Sequence, residues 1–103
     1  MVIEYLRYTI PTEKQPAFVQ DYQRASDPLT RSPFCEHYDL SQCVEDSSQF
    51  IIRIQWTSAD DHLNRFRGSA EFREFFSHIK AYVNDITEMR HYKLLDSKSG
   101  STH

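Results

Sequence analysis

The stretch "QFIIRIQWTSADDHLNRF", Gln49–Phe66, decides how the chain is read. Its first eight residues alternate: Phe50, Ile52, Ile54 and Trp56 point to one face, Ile51 and Arg53 to the other. That period of two, with β-branched and aromatic residues, predicts a half-buried strand. The pattern then breaks at "TSADD". Ser58 followed three residues later by Asp61 reads as a capping box with Asp in place of Glu, and Asp60 and Asp61 lie at the positive end of the helix dipole. A short helix is expected next, with Leu63 and Phe66 on its buried side, interrupted at Gly68 and Ser69. A strand feeding directly into a helix is the element around which the remaining segments are arranged.

Upstream, "VIEYLRYTI" (2–10) is a strand ending at Pro11. Val2, Leu6, Tyr8 and Ile10 form its more apolar face, apart from Glu4. Thr12 and Gln15 suggest a capping box for a first helix carrying Phe18, Tyr22 and Ala25 at helical spacing, with Pro28 expected to end it. "CEHYDLSQC" (35–43) alternates as a second strand, and its short polar connection to Gln49 predicts an antiparallel hairpin. Downstream, Phe72, Phe75, Phe76, Ile79, Val83 and Ile86 repeat every three or four residues and predict a long core helix. "EMRHYKLL" (88–95) is a fourth strand, and 96–103 a disordered polar tail after a single domain over 1–95. The order β-α-β-β-α-β is the α+β, ferredoxin-like arrangement of a four-stranded antiparallel sheet with helices on one face. The other face would offer Ile3, Tyr5, His37, Ile51 and Arg53, a mixed surface suited to a partner.

The 103 residues suffice for one core, and seven Phe and six Tyr supply much of its burial. A net charge of -3 gives no electrostatic grip on nucleic acid or an anionic membrane. No apolar run approaches the ~20 residues of a spanning helix, and the N-terminus lacks the layout of a signal peptide, so a cytoplasmic location is expected. Cys35 and Cys43, ~26 Å apart on one strand at ~3.3 Å per residue, are expected as free thiols.

"EYLRYTIPTEKQPAF", "CEHYDL", "QFIIRIQWTSADDHL" and the Ser-x-x-Phe step in "RGSAEFREFF" together resemble the antibiotic biosynthesis monooxygenase family, from about Val2 to Leu95. The resemblance implies a homodimer in which two sheets face each other as a dimeric α/β barrel, with the fourth strand reaching across. It implies a pocket between sheet and helices in each protomer. It also implies oxidation of a small aromatic, phenolic or quinol-like compound by O2 without metal or flavin. One branch of the family binds and degrades haem. Its Trp and His positions fall here at Phe66 and Phe76, its strand-one Asn at Leu6, and the His that many members carry before the Ser-x-x-Phe step also falls at Phe66.

Cofactor-free oxygenation needs a dry cavity and a base. His62 and Trp56 are the candidate catalytic residues, and Tyr5, Arg7, His37, Arg53, Phe66 and Phe76 the candidate ligand pocket. His37 shares a strand face with Asp39. No spacing such as HExxH or CxxC marks a metal site, and no glycine-rich loop cradles a phosphate. The alternative reading is a non-catalytic dimeric module that binds a hydrophobic ligand such as haem or stabilises a partner.

Overall fold

A computed structural model describes residues 1–100. The elements are β1 (Val2–Thr9), a 3₁₀ turn (Thr12–Lys14), α1 (Gln15–Arg31), β2 (Cys35–Gln42), β3 (Gln49–Trp56), a π-helical segment (Asp61–Phe66), α2 (Ala70–Ile79), a 3₁₀ segment (Lys80–Asp85) and β4 (Ile86–Lys93). The strands form one antiparallel sheet in the order β2-β3-β1-β4, with the helices on one face. This is the ferredoxin-like α+β fold that the order of elements predicts.

The core lies where the sheet meets the helices. Tyr8, Ile10, Phe50, Ile52, Ile54 and Trp56 bury the strand faces expected to be inward. Against them pack Phe18, Tyr22, Ala25 and Leu29 of α1 and Phe75 and Ile79 of α2. Phe18 is the hub, with its ring centroid 5.0 to 5.1 Å from those of Tyr8, Tyr22, Phe50 and Tyr82. Tyr8 and Tyr22 share a short hydroxyl–hydroxyl hydrogen bond, which satisfies both phenols inside the core.

Several local expectations are corrected. Pro28 does not end α1, which runs three residues further to Arg31. Proline costs the Arg24 carbonyl its helical partner, but Pro28 and Leu29 are fully buried, and the Thr30 hydroxyl donates to the Ser26 carbonyl at 2.8 Å. Thr12 makes no cap, since a 3₁₀ turn occupies that position; the Gln15 amide instead donates to the Ile10 carbonyl at 3.0 Å. The second long helix stops at Ile79, and β4 begins at Ile86 rather than Glu88. Phe76 is not core: 39% of it is exposed. A stripe that includes both Phe75 and Phe76 is wider than the buried face, so Phe75 and Ile79 turn inward while Phe72 and Phe76 stack on each other at the flank.

The segment after β3 departs from regular helix in a way that matters for the site. Ser58 caps it as expected, accepting from the Asp61 N–H at 3.0 Å. The Asp61 carboxylate takes the Thr57 hydroxyl rather than closing a reciprocal box. The backbone then widens, with the Arg67 N–H reaching the His62 carbonyl five residues back. That wider turn brings His62 and Phe66 to the inner face together and rotates Leu63 outward, where it is 44% exposed. Ser69 restarts the helix: its hydroxyl accepts the Phe72 N–H at 3.2 Å and donates to the Phe66 carbonyl at 2.6 Å. The Ser-x-x-Phe step is therefore a helix cap that seats Phe72.

Candidate active site

A cavity of about 260 Å³ lies between the sheet and the helices. Phe66, Phe72, Phe75, Phe76 and Ile79 form its helical wall, and Leu6, Tyr8, Ile54 and Met89 its floor. An apolar cavity of about 150 Å³ already admits benzene, so this one has room for a larger aromatic molecule. One end is polar, where Glu4, Trp56, His62 and Arg67 reach the lining.

The polar end is assembled from three distant parts of the chain. Glu4 lies on the inward face of β1, opposite His91 of β4 in the register of the sheet. Trp56 closes β3, and His62 comes from the widened turn. The Trp56 indole N–H donates to Glu4 Oε1 at 3.0 Å. His62 Nε2 stands 3.4 Å from the same oxygen. The other His62 nitrogen, Nδ1, faces His91 Nε2 at 2.7 Å, and His91 Nε2 is 4.0 Å from Glu4 Oε2. The His62 ring stacks on Trp56, with centroids 4.4 Å apart and planes 11° from parallel. Glu4 and His62 are 3% and 4% exposed.

Burial sets the charge state. It pushes the Glu4 carboxyl up to about 7, against the Trp56 hydrogen bond and the Arg67 guanidinium, which both favour the carboxylate. Burial, His91 and Arg67 together push His62 down to about 3. His91 is lowered too, by burial first and then by Arg67. The short Glu4–His62 contact has the geometry of an ion pair, yet burial opposes charge on both members. Below about pH 7 the pair therefore holds a proton on the carboxyl, above it Glu4 is a carboxylate, and the His62 imidazole is neutral on both sides of that point.

The residues singled out by sequence fall on two faces. Trp56, His62, Phe66 and Phe76 do line the cavity, with Phe76 at its rim. His62 is buried there. Tyr5 and Arg7 belong instead to a groove on the opposite face of the sheet, with Ile51, Glu88 and Tyr92. His37 and Arg53 are on that face as well, both bound to Asp39, at 3.1 and 3.4 Å. Sequence reasoning passed over Glu4 and left His91 without a role. The available signal was a lone carboxylate on the otherwise apolar face of β1.

Glu4, His62 and His91 each offer one atom within 4.8 Å of the others, the only such set of metal-ligating side chains among the described residues. Spacing rules could not find it, because its members come from β1, the π-helical segment and β4. Cys35 and Cys43 are free thiols, and no helix among the described residues is long and apolar enough to cross a membrane.

The comparisons with known proteins agree with the fold. SnoaB from Streptomyces nogalater, a cofactor-independent oxygenase solved as a variant, superposes with a TM-score of 0.76 at 18% identity, over 93% of this chain and 94% of that one. Rv0793 from Mycobacterium tuberculosis gives 0.75 at 17% identity, over 95% and 98%. A conserved protein from Methanosarcina mazei Go1 gives 0.74 at 17%, over 89% and 90%. In sequence, YczJ of Bacillus subtilis (strain 168) is 25% identical over 56 residues, which span 54% of this chain and 59% of that relative. The model of the antibiotic biosynthesis monooxygenase family matches residues 1–77, and the chain belongs to that family.

Proposed function

We propose that the protein is a cofactor-independent monooxygenase that oxidises a small phenolic or quinol-like compound with O2 in the cavity beneath the sheet. The observation that carries this reading is an apolar, aromatic-lined cavity ending in a buried carboxyl–imidazole pair. Such a substrate needs a dry site that orients it and a group that takes its hydroxyl proton, which raises the electron density of the ring enough for it to reduce O2. Glu4 takes that proton, because it is the carboxylate at the cavity wall. His62, 3.4 Å away and neutral, holds the Glu4 carboxyl in place, and the proton stays on Glu4. Trp56 fixes the carboxylate through its indole N–H and holds the His62 ring by stacking. The reduced O2 adds to the ring carbon. In the balance, one oxygen atom becomes a new C=O and the other leaves as water, with the two hydrogens lost from the O–H and C–H of the substrate.

The functional unit on this reading is a homodimer built on the open face of the sheet, where Tyr5, Ile51 and Tyr92 surround the second groove. Tyr5 meets Tyr92 edge-on, with centroids 5.4 Å apart, and the pair adds aromatic surface to a face that a second sheet would cover.

The test is oxygen uptake across a panel of quinols, naphthols and anthrones, with the product from ¹⁸O₂ analysed by mass. One label atom per product is expected. Uptake no faster than in buffer across the panel, beside saturable binding of the same compounds, would make the cavity a binding site without oxygenase activity.

A further inference from the structure

We infer that Glu4, His62 and His91 form a binding site for one first-row divalent transition metal ion, open toward the cavity. The three side chains present one ligand atom each within 4.8 Å, from three different elements. Two imidazoles and one carboxylate are a recurrent catalytic ligand set for zinc and for non-haem iron. Imidazole ligands argue against magnesium and calcium, which take oxygen.

The atoms distribute themselves without conflict. His62 Nδ1 and His91 Nε2 face each other at 2.7 Å. At metal–nitrogen bonds of about 2.0–2.1 Å, two nitrogens on one ion stand about 2.9 Å apart at octahedral angles and about 3.4 Å at tetrahedral ones. The pair has only to open by a few tenths of an ångström, and His91, on an edge strand and partly exposed, is free to turn. With Nδ1 given to the ion, His62 Nε2 keeps its hydrogen and points it at Glu4 Oε1. Trp56 donates to that same oxygen at 3.0 Å, which leaves Oε2, the oxygen nearer His91, for the ion. Donors of this kind orient the ligands of established metal sites. Arg67, whose positive charge is felt by all three residues, opposes a cation, and the Glu4 carboxylate offsets it. The side of the ion away from these three ligands would face the cavity.

An ion held here would occupy the carboxylate that takes the substrate proton, so it would inhibit the proposed oxygenation. That consequence alone rests on the oxygenase reading; the site itself rests on the geometry.

The test uses the full chain without an affinity tag, stripped with chelator and then titrated with Zn²⁺ by calorimetry and with Co²⁺ by visible absorption. One ion per chain is expected, with a ligand-field band for cobalt. His91→Ala, His62→Ala and Glu4→Gln, each checked for fold by circular dichroism, should weaken binding at least ~10-fold. His37→Ala and His78→Ala, outside the cluster, should not. Absence of saturable binding below millimolar metal would overturn the inference. So would binding that survives His91→Ala, the variant least able to disturb the core. Neither readout needs a substrate, so failure of the metal site and failure of the oxygenase reading are separate results.

Discussion

Trp56 lies flat against His62, with ring centroids 4.4 Å apart, while its indole N–H holds the carboxylate of Glu4 at 3.0 Å. One side chain thus fixes both members of the buried pair. The stacking face is apolar and the N–H edge is polar, so a single tryptophan meets two different needs.

Trp56→Phe separates those needs. The ring face is kept and the donor is lost. Leaving Glu4 without that donor should destabilise the fold by ~1–3 kcal/mol. It should also push the Glu4 carboxyl higher, because the lost bond favours the ionised form. Urea midpoints and an infrared titration of the carboxyl stretch check both outcomes. An unmoved carboxyl titration would mean that the indole does not control Glu4.

The buried pair gives acid unfolding a specific shape in metal-free protein. Unfolded, Glu4 and His62 titrate near 4.5 and 6.5; folded, they are shifted to about 7 and about 3. Between pH 4.5 and 6.5 both states carry one proton on the pair, so it contributes no slope. Below 4.5 the unfolded chain binds two protons and the native pair one. Stability then falls with falling pH, by up to ~2 kcal/mol before pH 3. In Glu4→Gln only the histidine remains, with its folded value depressed. Its contribution is complete above pH 6.5 and is lost as pH falls from there. His91, lowered as well, gives both proteins some slope below pH 6.5, so between pH 6.5 and 4.5 stability should fall more steeply with falling pH in Glu4→Gln than in the wild type, and equal slopes there would contradict the assignment.

Phe75 and Phe76 are neighbours with opposite surroundings, 8% and 39% exposed. Phe75→Ala should cost ~3–5 kcal/mol, as for a core aromatic. Phe76→Ala should cost ~1 kcal/mol, since much of its surface is already in water. It should change ligand affinity more than stability, because it stands at the rim of the cavity. Equal losses in a thermal or urea series would return Phe76 to the core.

The open sheet face predicts association. Sedimentation at micromolar concentration should give a dimer, and Ile51→Asp, on the β3 side of the second groove, should give a monomer. A wild-type monomer would remove the dimer from the account.

Much of the fold was legible because it depends on periodicity. The faces of β1 and β3 follow from alternation, and the helix starts at Ser58 and Ser69 follow from capping chemistry. The site was legible only in part. Trp56 and His62 stood out by type and position, but the inward turn of His62 depends on a widened helical turn that has no signature in residue spacing. Leu63 and Phe76 were misplaced for a related reason: an ideal period of 3.6 does not say where a real helix ends its contact with the sheet. Glu4 and His91 meet through sheet register, a relation between strands at opposite ends of the chain.

The account turns on Glu4 as the group that takes the substrate proton. The most direct measurement is turnover per folded molecule of Glu4→Gln, which preserves the shape of the side chain and its hydrogen bond from Trp56. It should be made beside Ser58→Ala, in chelated buffer, with the best substrate of the panel. The helix-cap variant should lose ~1 kcal/mol of stability and keep its turnover. Glu4→Gln should keep its fold and slow by ~10²-fold or more. Undiminished turnover in Glu4→Gln would contradict the account.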